Sequence, residues 1–252
     1  MNVLIVIFIG IIGLLFGSFL CCMGYRIPNK ISTISPGSFC PTCKKPLKWY
    51  MNIPLFSYIF LKGKCAYCKT KINIMYPLIE LTTSILFIIS YLVFGFSYEF
   101  IISIVLSSML CITLVTDFKY YYISDRVLII SFIVILIVFY FFLGIKGLLL
   151  RILYGIILFI IMYIFKLIGD KIFKRESLGG GDIKLMGVIG FILGLIPSVF
   201  VLFISSVLAL IFSLIFLKLD KTKEIPFGPF ILIASLIMFY FGTPILTIFK
   251  LI

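Results

Sequence analysis

An aspartate that follows three glycines is the first feature of this sequence that indicates chemistry. Asp182 comes directly after Gly179, Gly180 and Gly181, in one of the few polar interruptions of a chain that is 63% hydrophobic. A carboxylate between apolar runs of membrane length is costly to bury without a function, so it predicts a site. Glycine lacks a side chain and lets another backbone approach closely, so Gly179 and Gly181 are expected to support a peptide substrate beside Asp182.

Four cysteines form a second group, with a spacing typical of metal ligands. Cys40 and Cys43 make one Cys-x-x-Cys pair, Cys65 and Cys68 make another, and 21 residues separate the pairs. This spacing is typical of tetrahedral zinc sites with four thiolate ligands. Neighbouring lysines favour thiolates and a reducing cytoplasm disfavours disulfides, so structural zinc is favoured over a redox pair. Four sulfur ligands leave no open position for substrate, and the predicted role of the metal is to fold the loop.

Composition narrows the class of protein and the chemistry open to it. The chain has 252 residues, of which 17% are aromatic and 12% charged, and with its hydrophobic content this indicates a polytopic membrane protein. It contains no histidine, which excludes Ser-His-Asp triads, Cys-His pairs and histidine-based metalloprotease sites. Proton transfer must therefore use Asp, Glu, Lys, Tyr or Cys.

Apolar runs predict an all-α membrane bundle of about eight transmembrane helices. The predicted parts are a first helix in residues 1–24, a polar four-cysteine zinc loop at 25–75, and a membrane core at 76–252. The run at 184–196 is short for a bilayer that needs about 20 residues, so it is expected to be irregular or to pair with its neighbour as a re-entrant segment. The eight runs lie at 3–24, 76–96, 99–116, 127–143, 148–167, 184–196, 198–217 and 229–249.

The distribution of basic residues predicts the orientation of the chain. With the N-terminus outside, 19 of the 22 Lys and Arg residues fall in segments on the cytoplasmic side, and the exceptions are Lys146, Arg151 and Lys250. Cytoplasmic segments of membrane proteins carry an excess of Lys and Arg, so the zinc loop is predicted to face the cytoplasm at a bacterial plasma membrane. Orientation accounts for the net charge of +13, and nucleic acid is not a predicted partner. The cytoplasmic segments are 25–75, 117–126, 166–184 and 218–223.

The same topology gives Asp182 a partner. Asp117 falls at the cytoplasmic end of the third span, at the membrane depth of Asp182 at the start of the sixth. Two carboxylates that share a water can hydrolyse a peptide, because the ionised one takes a proton from the water while the protonated one hydrogen-bonds the scissile carbonyl. Repulsion between like charges keeps one of them protonated near neutral pH. The alternative is that each aspartate caps a helix, since helix N-termini favour carboxylates.

Two other acids lie close to predicted span ends. Asp125 precedes the fourth span, where it is expected to cap the helix or to pair with Arg126. Glu80 lies just inside the second span and is expected to pair with a loop lysine or to contact substrate. Glu80 is therefore predicted to support the site rather than to carry the chemistry, and Asp125 is predicted to have a structural role.

Taken in order, these motifs resemble the type IV prepilin leader peptidases, membrane aspartyl proteases with a Gly-x-Gly-Asp motif. The first catalytic aspartate of the family matches Asp117, with Asp125 eight residues later, and the second matches Asp182 behind its glycines. The resemblance extends from the first span to the sixth. The other matching stretches are GSFL at 17–20, YRIP at 25–28, the two cysteine pairs, NIPLFSY at 52–58 and YPLIE at 76–80.

The resemblance implies an enzyme with two activities. It implies removal of a short basic leader from prepilin or pseudopilin precursors at the cytoplasmic face, then N-methylation of the new N-terminus with S-adenosylmethionine. Residues 76–252 are then the aspartyl peptidase core, and membrane lipid surrounds it. S-adenosylmethionine follows from the resemblance alone, because no glycine-rich nucleotide loop is evident in the sequence. The alternatives are a different intramembrane aspartyl protease, and a transporter or scaffold that uses buried carboxylates as a proton or cation relay.

Overall fold

The computed structural model describes residues 3–174, 176–216 and 225–248, and these residues form an all-helical bundle. Isolated bridges in the zinc loop are the sole β pairing within those ranges. Arg175, Lys250 and the lysines of segment 218–223, which contributed to the predicted orientation, lie outside the described residues. The helices are α1 Val3–Arg26, α2 Phe56–Phe60, α3 Met75–Phe94, α4 Tyr98–Tyr120, α5 Asp125–Phe173, α6 Gly180–Leu193, α7 Leu195–Phe216 and α8 Gly228–Ile248.

Five of the described helices, α1, α3, α4, α5 and α7, are long and apolar enough to cross a membrane. Many of their large apolar side chains point away from the bundle, among them Phe8, Phe141 and Phe203, each more than 60% exposed. Such surfaces are unfavourable in water and suit the acyl chains of lipid. The chain is a multi-pass membrane protein, as its composition predicts.

Helix α5 is two helices joined at Gly144. Its 49 residues are helical except at Gly144, where φ is 65° and ψ is −179°. The Arg151 guanidinium carbon lies 5.3 Å from the centre of the Phe139 ring. Twelve residues of straight helix would separate these positions by about 18 Å, so the chain must turn back on itself. Residues 125–143 and 145–173 are therefore antiparallel, and the separate spans predicted at 127–143 and 148–167 are confirmed.

Helix α6 is short, and its last turn accepts a hydrogen bond from Arg151. The helix has 14 residues, or about 21 Å, which is shorter than the hydrocarbon core of a bilayer. It stops at Gly194, where φ is 90°, and α7 begins one residue later. The Arg151 Nη1 group donates a hydrogen bond of 2.9 Å to the carbonyl oxygen of Ile192. This short helix is the irregular span that the sequence predicts, but it begins at Gly180, so Asp182 lies inside its first turn.

Close packing of α1 on α3 fixes the base of the zinc loop. A Cβ atom at Gly17 would lie 2.7 Å from the Cα of Glu80, and one at Gly13 would lie 2.6 Å from the Cα of Ser84. The Ser84 hydroxyl donates to the carbonyl of Gly10 at 2.8 Å. The two helices that begin and end the loop are therefore held in backbone contact, which places Glu80 directly beneath the loop.

Helices α4, α5, α6 and α8 share one buried core. Its innermost members include Leu106 of α4, Ile135 of α5, Leu185 of α6 and Ile231 of α8, all fully buried. Asp117 lies at the end of α4 and Asp182 at the start of α6, so both aspartates are attached to this core. Because interiors are close-packed, the core fixes the spacing of these helix ends.

Candidate active site

Asp117 lies in the last turn of α4 and accepts a hydrogen bond from the start of α8. Its residue is 6% exposed, and its Oδ2 atom accepts from the backbone N–H of Gly228 at 3.1 Å. Tyr121, with φ of 51°, ends α4 and donates its N–H to the Asp117 carbonyl at 3.0 Å. Asp117 does not cap its own helix, because it lies at a C-terminus. It receives instead a free N–H from the N-terminus of another helix.

Asp182 lies in the first turn of α6, behind exposed glycines. Gly179 precedes the helix, and its carbonyl accepts the Asp182 N–H at 3.1 Å. The Oδ1 atom of Asp182 is buried but accepts no hydrogen bond from any described residue. A Cβ atom at Gly179 would lie 3.0 Å from the Asp182 Oδ2 atom, so glycine leaves room for the carboxylate there. A buried acceptor without a partner is unfavourable, and water or substrate would satisfy it.

The structure brings the two aspartates to the same end of the bundle. Asp117 lies at the end of α4 and accepts from the start of α8, while Asp182 lies in the first turn of α6. Ile123, in the turn between α4 and α5, packs against the starts of both α6 and α8. A Cβ at Gly181 would lie 2.9 Å from the Ile123 Cβ, and a Cβ at Gly228 would lie 2.8 Å from the Ile123 Cδ1.

Gly228 and Ile123 have roles that the sequence did not reveal. A Cβ at Gly228 would lie 2.8 Å from the Asp117 Oδ2 atom, closer than such contacts occur in proteins. The one sequence signal is the pair Gly228-Pro229 before an apolar run, which marks a helix start but says nothing of a distant carboxylate. Ile123 carries no signal, because an isoleucine in a short loop resembles any other packing residue.

The four cysteines meet in the loop between α1 and α3. Their Sγ atoms all lie within 4.8 Å of one another, and those of Cys40 and Cys68 are 3.8 Å apart. Zn–S bonds of about 2.3 Å in a tetrahedron require S···S separations of about 3.8 Å, so the cluster is compatible with structural zinc. The Thr70 hydroxyl lies 3.3 Å from the Cys68 Sγ. Its hydrogen bond lowers the pKa of the Cys68 thiol to about 6.

The two cysteine pairs sit in matching backbone turns. In the first, the N–H of Lys44 donates to the Cys40 carbonyl at 2.9 Å, and in the second the N–H of Lys69 donates to the Cys65 carbonyl at 3.0 Å. Both lysines have positive φ, 59° and 58°. The paired turns aim four sulfur atoms at one point, which is the arrangement that the sequence spacing predicts.

Two family models match the chain. The Bacterial Peptidase A24 N-terminal domain matches residues 11–94, and the Type IV leader peptidase family matches residues 104–214. The chain is 33% identical over 248 residues to the prepilin leader peptidase/N-methyltransferase of Bacillus subtilis (strain 168), with 95% of each protein covered. The chain belongs to the type IV leader peptidase family.

Other curated members of the family are similar over nearly their whole length. The prepilin leader peptidase/N-methyltransferase of Vibrio cholerae is 33% identical over 260 residues, which cover 95% of this chain and 98% of that protein. That of Neisseria gonorrhoeae is 29% identical over 256 residues, covering 91% and 88%. No solved structure matches the chain. As a member of the family the chain is a membrane peptidase, and the transporter or scaffold alternative is not favoured.

Both candidate aspartates of this leader peptidase fall within the second family match. The other two acids near the span ends, Asp125 and Glu80, have partners that differ from those predicted. Asp125 forms an ion pair of 2.8 Å with Lys184 rather than with Arg126, and so connects the starts of α5 and α6. Both side chains are about half exposed, so the pair adds little stability. The pair shows that the starts of α5 and α6 lie side by side.

Glu80 accepts a backbone amide of the zinc loop rather than a lysine. Its Oε2 atom accepts the N–H of Leu55 at 2.8 Å, and the residue is 8% exposed. Among the described residues no Lys or Arg nitrogen lies within ion-pair distance of it. The expected pairing with a loop lysine is therefore wrong. Glu80 belongs to the base of the zinc loop, where it lines a cavity together with Lys119.

Proposed function

We propose that Asp117 and Asp182 activate the water that cleaves the leader of a prepilin or pseudopilin precursor. The observation that carries this proposal is the buried Asp182 Oδ1 atom, which lacks a hydrogen-bond partner among the described residues, in a helix start that packs on Ile123 together with Gly228, the partner of Asp117. A water or a scissile carbonyl placed between the two acids would satisfy it. The chain has no histidine, so an acid pair is the most economical peptidase chemistry open to it.

In the proposed mechanism Asp117 is the base. The Gly228 N–H donates to its Oδ2 atom, and a backbone donor stabilises the ionised form of a carboxylate. Asp182 then holds the shared proton and donates it to the oxygen of the scissile carbonyl. Asp117 takes a proton from the water as the water oxygen bonds to the carbonyl carbon. When the resulting tetrahedral species collapses, the C–N bond breaks and the leaving amine receives a proton from the acid pair.

Substrate is proposed to lie along the glycines before Asp182. Gly179 and Gly180 are exposed, and nothing lies within 4 Å of a Cβ built at Gly180, so an extended backbone can approach there. The mature part of a prepilin is an apolar helix, which would reach the site from the lipid between the exposed faces of the bundle. The excess of basic residues in the zinc loop supports placing the end of the bundle that carries the two aspartates at the cytoplasmic side of the bacterial plasma membrane.

The cysteine cluster is proposed to hold a structural zinc ion. Cys40, Cys43, Cys65 and Cys68 are the ligands, and their mutual separations fit tetrahedral coordination. Four thiolates leave no coordination position for water or substrate, so the ion would act on folding alone. A loop without a core of its own gains stability from such a site.

A second activity, N-methylation of the new N-terminus, is proposed from the names of the relatives. S-adenosylmethionine, when bound, supplies an electrophilic methyl group to an amine. The peptide bond is cleaved before methylation, because the amine that receives the methyl group exists only after cleavage.

Purified full-length protein in detergent tests the peptidase proposal. The substrate is a peptide with a short basic leader, a glycine and a long apolar helix. Cleavage after the glycine, without any ion gradient or added ATP, is the expected result. An intact substrate under conditions where the protein is folded and zinc-loaded would contradict the proposal. A matched substrate whose leader ends in leucine instead of glycine serves as the specificity control.

A further inference from the structure

The zinc loop carries an apolar surface on the side that faces away from the protein. Four large apolar side chains between the two cysteine pairs are 56–80% exposed, and we call them the outer face. They are Trp49, Phe56, Ile59 and Phe60. Large apolar side chains clustered on the outside of an extramembrane segment mark an interaction surface.

Helix α2 has apolar residues on two sides, and one side alone packs on the protein. The residues of its inner side line the cavity beneath the loop, and these are Leu55, Tyr58 and Leu61. The outer-face residues of α2 lie three and four positions apart, which places them on the other side. The Ser57 hydroxyl donates to the Tyr50 carbonyl at 2.8 Å, so the turn that carries Trp49 is attached to α2. The outer face is therefore part of the folded loop.

The loop descends beside the lipid-facing surface of α1. Leu15 and Phe19 of α1 are more than half exposed, and together with Asn52 and Pro54 of the loop they line a groove of about 290 Å³. Leu15 lies eleven residues before Arg26, the end of α1, which is about 16 Å along the helix. The segment that leads into α2 therefore lies at the level of the membrane boundary, and the outer face continues the apolar surface of α1.

Lysines flank the outer face at both ends. Lys48 directly precedes Trp49, Lys62 follows the last turn of α2, and both are exposed. Neither forms an ion pair with an acid in the part of the chain that the structure describes. Tryptophan at the headgroup level and lysines beside an apolar face are typical of segments that lie in the interfacial layer of a membrane. Anionic lipid attracts such lysines.

We propose that the outer face anchors the zinc loop to the membrane surface, with its apolar side chains in the interfacial layer and Lys48 and Lys62 at anionic headgroups. Lipid is favoured over a second copy of the chain, because a symmetric contact through this face would bring the same lysines together, and like charges disfavour that arrangement. The anchor would hold the loop beside the ends of α1 and α3. It acts independently of the acid pair.

The fluorescence of Trp49 tests the anchor in the full-length wild type, because it is the sole tryptophan of the chain. In phosphatidylglycerol nanodiscs, lipids brominated near the top of their acyl chains should reduce its emission about twofold or more, since an interfacial face lies about 5–10 Å into the headgroup and acyl boundary. Aqueous acrylamide should quench it weakly. Strong quenching by acrylamide and none by brominated lipid would overturn the proposal. Protection from both quenchers would show that protein covers the face, and would overturn it as well.

Moving the tryptophan tests whether α2 itself reaches lipid. Trp49→Phe combined with Phe60→Trp should be quenched by brominated lipid at least as strongly as the wild type. Trp49→Phe combined with Tyr67→Trp is the matched control, because Tyr67 lies in the second cysteine turn, where Lys64 and Lys69 are exposed. Its quenching by brominated lipid should be weaker. Equal quenching at positions 60 and 67 would contradict a specific outer face.

Lipid charge tests the flanking lysines. Phosphatidylcholine in place of phosphatidylglycerol should reduce the bromine quenching of Trp49 about twofold or more, because each lysine near an anionic surface contributes to binding. Lys48→Glu combined with Lys62→Glu should abolish this difference between the two lipids. Lys45→Glu combined with Lys69→Glu makes the same charge change beside the cysteine pairs and should retain it. Equal quenching of the wild type in both lipids would overturn the assignment of Lys48 and Lys62 to anionic headgroups.

Discussion

The backbone N–H of Gly228 donates a 3.1 Å hydrogen bond to the Asp117 carboxylate, across 111 residues of sequence. This contact joins the end of α4 to the start of α8 and uses an N–H that the helix itself leaves unpaired. It orients one member of the proposed acid pair while leaving the other, Asp182, without a protein partner at Oδ1 among the described residues. The asymmetry of the two environments is the structural basis for assigning them different roles.

Gly228→Ala should reduce leader cleavage by about 100-fold, since a misplacement of about 1 Å near the chemistry has effects of that size. The new Cβ would lie 2.8 Å from both the Asp117 Oδ2 and the Ile123 Cδ1 atoms. The measurement is kcat/KM for a prepilin substrate in detergent. Gly242→Ala is the control in the same helix, because its Cβ would meet no atom closer than 3.7 Å. Equal activity of the two variants would contradict the prediction.

Neighbouring glycines before Asp182 should respond differently to the same change. Gly181→Ala should reduce cleavage about tenfold or more, because its Cβ would lie 2.9 Å from the Ile123 Cβ and push α6 away from the α4–α5 turn. Gly180→Ala places a Cβ where no protein atom lies within 4 Å, so thermal stability near that of the wild type is expected, and any loss of cleavage should come from an obstructed substrate backbone. Lower thermal stability for Gly180→Ala than for Gly181→Ala would show that the packing argument is wrong.

Zinc content should follow the four loop cysteines and no other cysteine. Cys40→Ser and Cys65→Ser should each abolish stoichiometric zinc and expose the loop to proteolysis, because structural zinc supplies folding energy. Metal analysis and limited proteolysis of protein purified without chelator measure both effects. Cys111→Ser is the control, since Cys111 is buried in α4 beside Thr83. Full zinc content in Cys40→Ser would rule out a four-thiolate site.

Arg151 should stabilise the bundle at the end opposite to the acid pair. Arg151→Gln removes the 2.9 Å hydrogen bond to Ile192 and the contact with the Phe139 ring. Loss of one hydrogen bond from a charged donor should lower the free energy of unfolding by about 1.5–3 kcal/mol. Thermal unfolding in detergent measures it, with Lys146→Gln, an exposed residue of the same turn region, as the control. An unchanged unfolding temperature for Arg151→Gln would contradict the prediction that Arg151 stabilises the bundle.

The sequence predicted the elements of this fold well because hydrophobic length is a local property. The break at Gly144 was anticipated, since Gly144, Lys146 and Gly147 interrupt an apolar run. The cysteine cluster was also anticipated, because Cys-x-x-Cys spacing fixes ligand geometry within each pair.

Long-range polar contacts were the part that the sequence did not predict. The Gly228 N–H and the Leu55 N–H are backbone donors with no side-chain signal, so the partners of Asp117 and Glu80 were missed or misassigned. Asp125 pairs with Lys184 rather than with Arg126 because α6 packs beside the start of α5, and the tertiary fold sets that relationship.

Leader cleavage is proposed to require Asp117 and Asp182 acting as a pair. The decisive measurement is leader removal from a co-expressed prepilin by Asp117→Asn and Asp182→Asn, with Asp125→Asn as the matched control at the surface. Each of the first two should slow cleavage by at least about 1,000-fold, because general acid–base catalysis contributes factors of that order, while zinc content and expression stay normal. Asp125→Asn should cleave at a rate near that of the wild type. Continued leader removal by either Asp117→Asn or Asp182→Asn would contradict the acid pair.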